Sequence, residues 1–153
     1  MMKDFNPLAL ENQLCFPLYA CARKVVAMYT PFFKPLGITY TQYIVFLVLW
    51  ERDGVSVHEL GEKLYLDSGT LTPLLKKMES AGYVRRERRK DDERVTMIYL
   101  TDEGRAMREK CEPIPMQLGK CVPMDRDDAI QLRALLNKLL AADVCSTDLE
   151  TEA

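Results

Sequence analysis

The chain has 153 residues, a formal net charge of −2, 48% hydrophobic residues and 29% charged residues. That suffices for one domain with a proper core, and its longest apolar run, Tyr43–Trp50, falls short of the roughly 18 residues needed to cross a bilayer. No global basic excess marks a nucleic-acid binder, so any such signal has to be local, and MMKDFNPLALENQ lacks a signal-peptide core, which points to a cytoplasmic chain with no membrane partner.

In chain order, Asn6-Pro7 has the form of a helix start, a cap followed by the first helical residue. From there to about Phe33 the sequence is apolar and free of glycine, which predicts a long first helix; a start at Pro7 has Pro17 kink it, and a start near Asn12 has Pro17 cost only an early hydrogen bond. Pro31, Pro35 and Gly37 mark a break. Thr41 to Glu51 is an apolar run that a strand could also show, but its length favours a buried helix, ended by Asp53-Gly54. Ser56-Val57-His58-Glu59 fits the capping box of a short helix carrying Leu60 and Leu64. Asp67 to Thr70 forms a turn and cap cluster, after which Leu71, Leu74, Leu75 and Met78 line one face of a helix that Ala81-Gly82 closes.

Residues 83–100 change character: two β-prone segments flank Lys90-Asp91-Asp92-Glu93, a hairpin with a charged tip. Thr101 to Gly104 opens a helix running to about Glu112, and Pro113 and Pro115 interrupt it. The segment from Gly119 to Pro123 is irregular, and Asp125 caps a last helix striped by Leu132, Leu135, Leu136, Leu139 and Leu140. The tail after Asp143 is polar.

Five cysteines are present: Cys15, Cys21, Cys111, Cys121 and Cys145. None forms a C-x-x-C and His58 is the sole histidine, so no metal site and no cofactor is expected. An odd count in a reducing compartment also argues against a closed disulfide framework.

Helix, short helix, turn, helix, charged hairpin is the order of a winged helix-turn-helix. The expected fold is mainly α, with a small β-hairpin wing and a helical dimerisation region built from the N- and C-terminal helices. Residues 41–102 form the DNA-binding region, and 7–40 and 103–142 the dimerisation helices. The helix over 68–81 buries its leucines and offers Ser68, Thr70, Thr72, Lys76 and Lys77 on the other face, hydroxyls for base edges and ammonium groups for phosphate. The hairpin adds Arg85, Arg86, Arg88, Arg89, Lys90 and Arg94, suited to the negative potential of a minor groove. From Pro73 to Arg94 eight basic residues meet five acidic ones, a locally positive stretch in an acidic chain.

DSGTLTPLLKKMESAGYVRRERRKDDERVTMIYLTDEGR resembles the core of the MarR family of transcriptional regulators. DSGTLTPLLKKME is similar to its recognition helix, Pro73 included, and DDER with LTDEG to its wing and next helix. LENQLCFPLYACARK, Tyr29, LGITYTQYIVFLVLWE and LGEKLYLDSGTLTP resemble its organic-hydroperoxide-sensing branch, the OhrR type. The likeness covers residues 8–110 well and rests on helix pattern beyond Pro113.

The resemblance places the sensing cysteine at Cys15 and, at Tyr29 and Tyr40, tyrosines that hydrogen-bond its sulfur from a partner subunit. Phenolic donors favour the thiolate, the form that attacks a peroxide oxygen. Leu14, Phe16 and Phe5 would favour organic hydroperoxides over hydrogen peroxide. Some members of this branch resolve the sulfenic acid with a second cysteine and others react with a small cellular thiol; Cys121 stands in about the right place for the former, Cys111 and Cys145 are less well placed, and Cys21 reads as core. The resemblance therefore implies a homodimeric repressor, not an enzyme, that binds a pseudo-palindromic operator in double-stranded DNA. Oxidation of Cys15 and an intersubunit disulfide with Cys121 would release it. Two other readings compete. One is a MarR-type repressor released by a small phenolic or aromatic ligand, with Cys15 as a pocket wall. The other is a thiol peroxidase, against which stand the lack of a visible charged partner for Cys15 and the purpose the hairpin would lose. Pro17 departs from the branch's pattern and bears on the backbone around Cys15.

Overall fold

The computed structural model describes residues 6–142, mostly helical around one small antiparallel sheet. Phe5 and Cys145 lie outside the described residues. The described residues form two compact units, one extending to Leu118 and one starting at Gly119.

The first unit opens on a looped segment where a helix start was expected. Asn6 does cap, but it caps a turn: its side-chain oxygen accepts from the Leu8 N–H at 3.0 Å. The Asn12 side chain donates back to the Asn6 carbonyl at 2.8 Å, and the Gln13 amide donates to the Pro7 carbonyl. A 3-10 turn at Leu10–Asn12 completes the loop. Helix α1 then spans Cys15–Met28, and α2 spans Thr30–Phe33. The expected single helix is thus split in two. Pro31 has no N–H to offer the Ala27 carbonyl, and the Tyr29 N–H turns to Val26 at 3.2 Å. Helix α1 contributes no buried residue, so Cys21, expected in the core, is exposed in the chain.

Helix α3, Tyr40–Glu51, starts on a capping box in which Thr39 and Gln42 exchange bonds between side chain and backbone at 3.3 and 2.9 Å. It is the central core helix: Val45, Phe46 and Leu49 are fully enclosed. Strand β1 is Val55–Ser56, helix α4 is Val57–Leu64 and helix α5 is Ser68–Ser80. Leu60 of α4 and Leu71, Leu75 and Met78 of α5 close over Phe46 in one cluster, each side chain contributing about 1.5–3 kcal/mol of burial. The turn between the two helices passes through Tyr65 in the left-handed conformation, φ 54°.

Strands β2, Val84–Arg88, and β3, Thr96–Leu100, form the hairpin, with Arg86 opposite Ile98 and Arg88 opposite Thr96. Strand β1 pairs with the other edge of β3, Val55 opposite Ile98, giving the order β1-β3-β2. This third strand was not expected, because two residues are too few to show an alternation. Helix α6 spans Asp102–Cys111 and α7 spans Ile114–Gly119. In the second unit Asp125 caps α8, Arg126–Ala141, by accepting from the Asp128 N–H at 2.8 Å. Leu132, Leu135, Leu139 and Leu140 of α8 are exposed in the single chain. Among the described residues no helix is long and apolar enough to cross a membrane, and no cluster of metal-ligating side chains occurs.

Candidate nucleic-acid interface and thiol site

The reading unit is built by short-range capping and held by long-range bonds. Ser56 and Glu59 exchange hydrogen bonds at 2.8 and 3.1 Å to start α4. The donors of Ser56, with the nearby Arg52, hold the Glu59 carboxyl below its usual range. Asp67 starts α5: its carboxylate accepts from the Thr70 N–H and the Thr70 hydroxyl, each at 2.9 Å, and these bonds lower its pKa. The Thr70 hydroxyl, expected from the sequence to face DNA, already serves the cap. Ser68 is exposed at the first position of the helix, with Thr72, Lys76 and Lys77 exposed farther along. Pro73 stands inside α5, where it has no N–H for the Gly69 carbonyl.

The six cations of the hairpin divide by partner. Arg86 faces inward: its Nε donates to Glu79 of α5 at 2.7 Å, and its backbone N–H donates to the same carboxylate at 3.0 Å. This bond keeps the Glu79 carboxyl below its usual range and staples the wing to the reading helix. Arg85 lies over the Tyr99 ring at 4.8 Å and pairs with Glu87. Arg88 reaches the Glu93 carbonyl at 3.3 Å across the tip, and Arg89 pairs with Asp91 at 2.8 Å. Arg94 pairs with Asp92 at 3.1 Å while its side chain is 93% exposed, which leaves the guanidinium open to a phosphate. Lys90 is exposed at the tip.

A second staple was not legible in the sequence. Asp53, read there only as a helix stop, accepts from the Leu100 N–H at 2.8 Å and the Gly54 N–H at 3.0 Å through one oxygen. Its other oxygen accepts from Arg105 of α6 at 2.8 Å. Beside it, Trp50 Nε1 donates to the Gly104 carbonyl at 3.0 Å. The root of the wing, the end of α3 and the start of α6 meet at this carboxylate. The partners lie 47 and 52 residues away, a separation that leaves no local pattern.

Cys15 is the first residue of α1 and is exposed, with its sulfur 3.9 Å from the Gln13 side-chain oxygen. Pro17 occupies the third helical position, where the N–H has no intrahelical partner, so it removes no bond and bends nothing. Leu14 and Phe16 on either side of the sulfur are exposed.

Tyr29 and Tyr40 come together in one chain, their ring centroids 4.9 Å apart. Tyr43, which sequence reasoning passed over, joins them at 5.8 Å from Tyr29, and Phe33 stacks on Tyr29 at 5.1 Å. Burial, then the neighbouring Tyr40, raises the Tyr29 pKa. Burial pushes Tyr43 up to about 12, with Tyr29, Cys111 and Tyr40 adding to it. Raised phenols keep their protons and remain O–H donors. Cys111 is enclosed beside Tyr43, and burial pushes its thiol up, away from the reactive thiolate. Cys121 is exposed in the second unit.

Residues 27–111 match the family model described as transcriptional regulator SarA/Rot. An organic hydroperoxide resistance transcriptional regulator of Bacillus subtilis is 44% identical over 140 residues, covering 92% of this chain and 95% of that protein. The structure of reduced AbfR bound to DNA superposes with a TM-score of 0.74 at 37% identity, covering 86% of this chain and 90% of that one. The same protein, AbfR of Staphylococcus epidermidis, in its disulfide-formed state gives a TM-score of 0.62 at 39% identity, covering 86% and 92%.

Proposed function

Since the chain belongs to the MarR family of winged-helix transcriptional regulators, in the branch of the organic hydroperoxide resistance regulator, we propose that it is a homodimeric repressor which organic hydroperoxides release from DNA through Cys15. It acts in the cytoplasm, where its thiols are kept reduced. Helix α5 enters the major groove with Ser68, Thr72 and Pro73 toward the bases and Lys76 and Lys77 toward phosphate, while Thr70 holds the Asp67 cap at its head. The wing lays Arg88 and Arg94 along the neighbouring minor groove, and Arg86 holds the wing at its angle through Glu79. The exposed apolar stripes of α1 and α8 cover one another across a two-fold axis, so the two reading heads meet half-sites about one helical turn apart.

The observation that carries the redox reading is the placement of Cys15, an exposed thiol at the first position of a helix and flanked by exposed apolar side chains. Its thiolate attacks the terminal oxygen of the hydroperoxide. The O–O bond breaks and the alcohol leaves after taking a proton; the sulfur, oxidised by two electrons, becomes a sulfenic acid. Tyr29 and Tyr40 of the partner subunit donate to that sulfur. The Cys121 thiolate of the partner then attacks the sulfenic sulfur, the S–O bond breaks as the S–S bond forms, and the hydroxide leaves as water after taking a proton. The new bond changes the spacing of the heads, a covalent change at an interface with a global readout. The buried Cys111 takes no part.

The test is a DNA-binding titration with and without an organic hydroperoxide. The reduced protein binds and the oxidised protein does not, whereas Cys15→Ser keeps its binding after oxidant. Release of Cys15→Ser by oxidant refutes the sensor assignment. An intersubunit disulfide that persists in Cys121→Ser on a non-reducing gel removes Cys121 as the resolving thiol.

A further inference from the structure

The function proposed so far makes no use of His58, the sole histidine of the chain. It is the second residue of α4, and its side chain is 84% exposed, too open for a core role. Two clefts flank it. One, of about 310 Å³, has His58 on one wall and Thr72, Arg86 and Arg94 on the others. The second, of about 480 Å³, runs between α4 and α5 and brings His58 beside Tyr65, Asp67 and Ser68. The imidazole is therefore bracketed on one side by Thr72 of the reading helix and Arg94 of the wing, and on the other by the first residue of the reading helix. His58 thus stands beside the residues that the DNA interface proposed above assigns to the duplex.

We propose that His58 is a phosphate contact of the DNA complex, and that its protonation tightens DNA binding as pH falls. The proposal rests on the DNA interface assigned above and adds to it a contact from the helix that precedes the reading helix. Histidine is the side chain whose charge ordinarily changes between about pH 5 and 8. The charged groups around it oppose or permit the contact in a definite way. On its own helix Glu62 stands 3.5 Å from Nε2, and in the following turn Asp67 lines the second cleft, so a neutral imidazole leaves two carboxylates near the phosphates. Glu59 of α4 is engaged by Arg52 from the end of α3 at 2.8 Å. From the wing, Arg86 is engaged by Glu79, Arg94 carries Asp92, and β3 contributes the uncharged Thr96. Protonated His58 offsets Glu62 and presents an N–H to phosphate; neutral His58 leaves the repulsion in place.

One further cation on phosphate steepens the dependence of log affinity on log salt by about 0.9 per protomer, which is about eightfold in affinity per protomer at about 0.1 M salt. The experiment uses the full-length reduced protein and a duplex that the protein itself selects from a random pool. Affinity is measured at about pH 6 and about pH 8. The unaltered protein binds several-fold more tightly at the lower pH, with a steeper salt slope. His58→Gln binds at both pH values as the unaltered protein does at pH 8. His58→Lys binds tightly at both with the steep slope, a rescue that a merely structural histidine would not show. A pH response that survives undiminished in His58→Gln assigns the effect to other groups, the thiols included, and overturns the proposal while leaving the interface standing. Failure of the unaltered protein to select or hold any duplex at either pH overturns the interface, and the proposal with it.

Discussion

Asp53 is a small residue with three obligations, and removing it tests whether the wing root is fixed there. In Asp53→Ala the Leu100 N–H, part-buried at the end of β3, loses its acceptor at 2.8 Å. A buried donor left without a partner costs about 1–3 kcal/mol. The Arg105 pair at 2.8 Å is partly exposed, with side chains 32% and 52% accessible, and adds about 0–1 kcal/mol after solvent screening. The sum is about 1–4 kcal/mol. Asp53→Asn separates the two contributions: its amide oxygen still accepts from Leu100 while its NH₂ group faces Arg105, so it costs about 1 kcal/mol or less. Urea denaturation at one fixed protein concentration reads both, with an unchanged m-value confirming that the same surface is exposed. Equal losses for the two variants would refute the reasoning, because the backbone bond would then contribute nothing. A loss below about 0.5 kcal/mol for Asp53→Ala would do the same.

Acidification weakens the reading unit before the core. Glu59, Asp67 and Glu79 all have folded pKa values below their ordinary ones, so their stabilisation is present above the unfolded pKa and is lost as pH falls through the folded values, below about pH 4.5. Amide exchange at the α4 and α5 caps reports the loss, and in Glu79→Gln the wing-root amide of Arg86 shows a smaller acid response than in the unaltered protein. Arg94→Ala flattens the salt dependence of DNA binding by about 0.9 per protomer, the signature of one lost phosphate contact. Arg86→Ala instead weakens binding through a displaced wing and lowers folding stability too; if the two variants behave alike in denaturant, the division of the wing cations is wrong.

The parts of the fold legible in the sequence are those governed by short-range rules. The capping box at Ser56, the cap at Asp125, the leucine face of α5 and the charged hairpin tip each lie within a few residues, and each is where the periodicity and cap chemistry put it. Misreadings arose where a local signal was outweighed. Asn6-Pro7 carries a helix-start signature, yet Asn12 and Gln13 fold back onto it and make a loop. Cys21 reads as core from its apolar neighbours, but helix α1 buries none of its side chains among the described residues. The thiol site was legible through resemblance and not through chemistry, since an exposed cysteine near a proline has no signature of its own. Tyr43 escaped notice as one more aromatic in a buried helix; only the ring geometry sets it beside Tyr29. Asp53 and Arg86 owe their roles to partners brought near by folding, and no spacing rule could have marked them.

Pro17 has a consequence for how the thiol is presented. A helix without buried side chains gets little help from packing in keeping its first turn wound, and free amide helices of this length fray at the ends. The pyrrolidine ring fixes one backbone torsion at the value a helix requires and removes conformers from the unwound chain, worth about 0.4–1 kcal/mol where the geometry is compatible. The start of the helix is thereby defined by covalent structure and not by whatever later covers it. The chain thus holds its sulfur at the head of a wound turn before anything covers the helix.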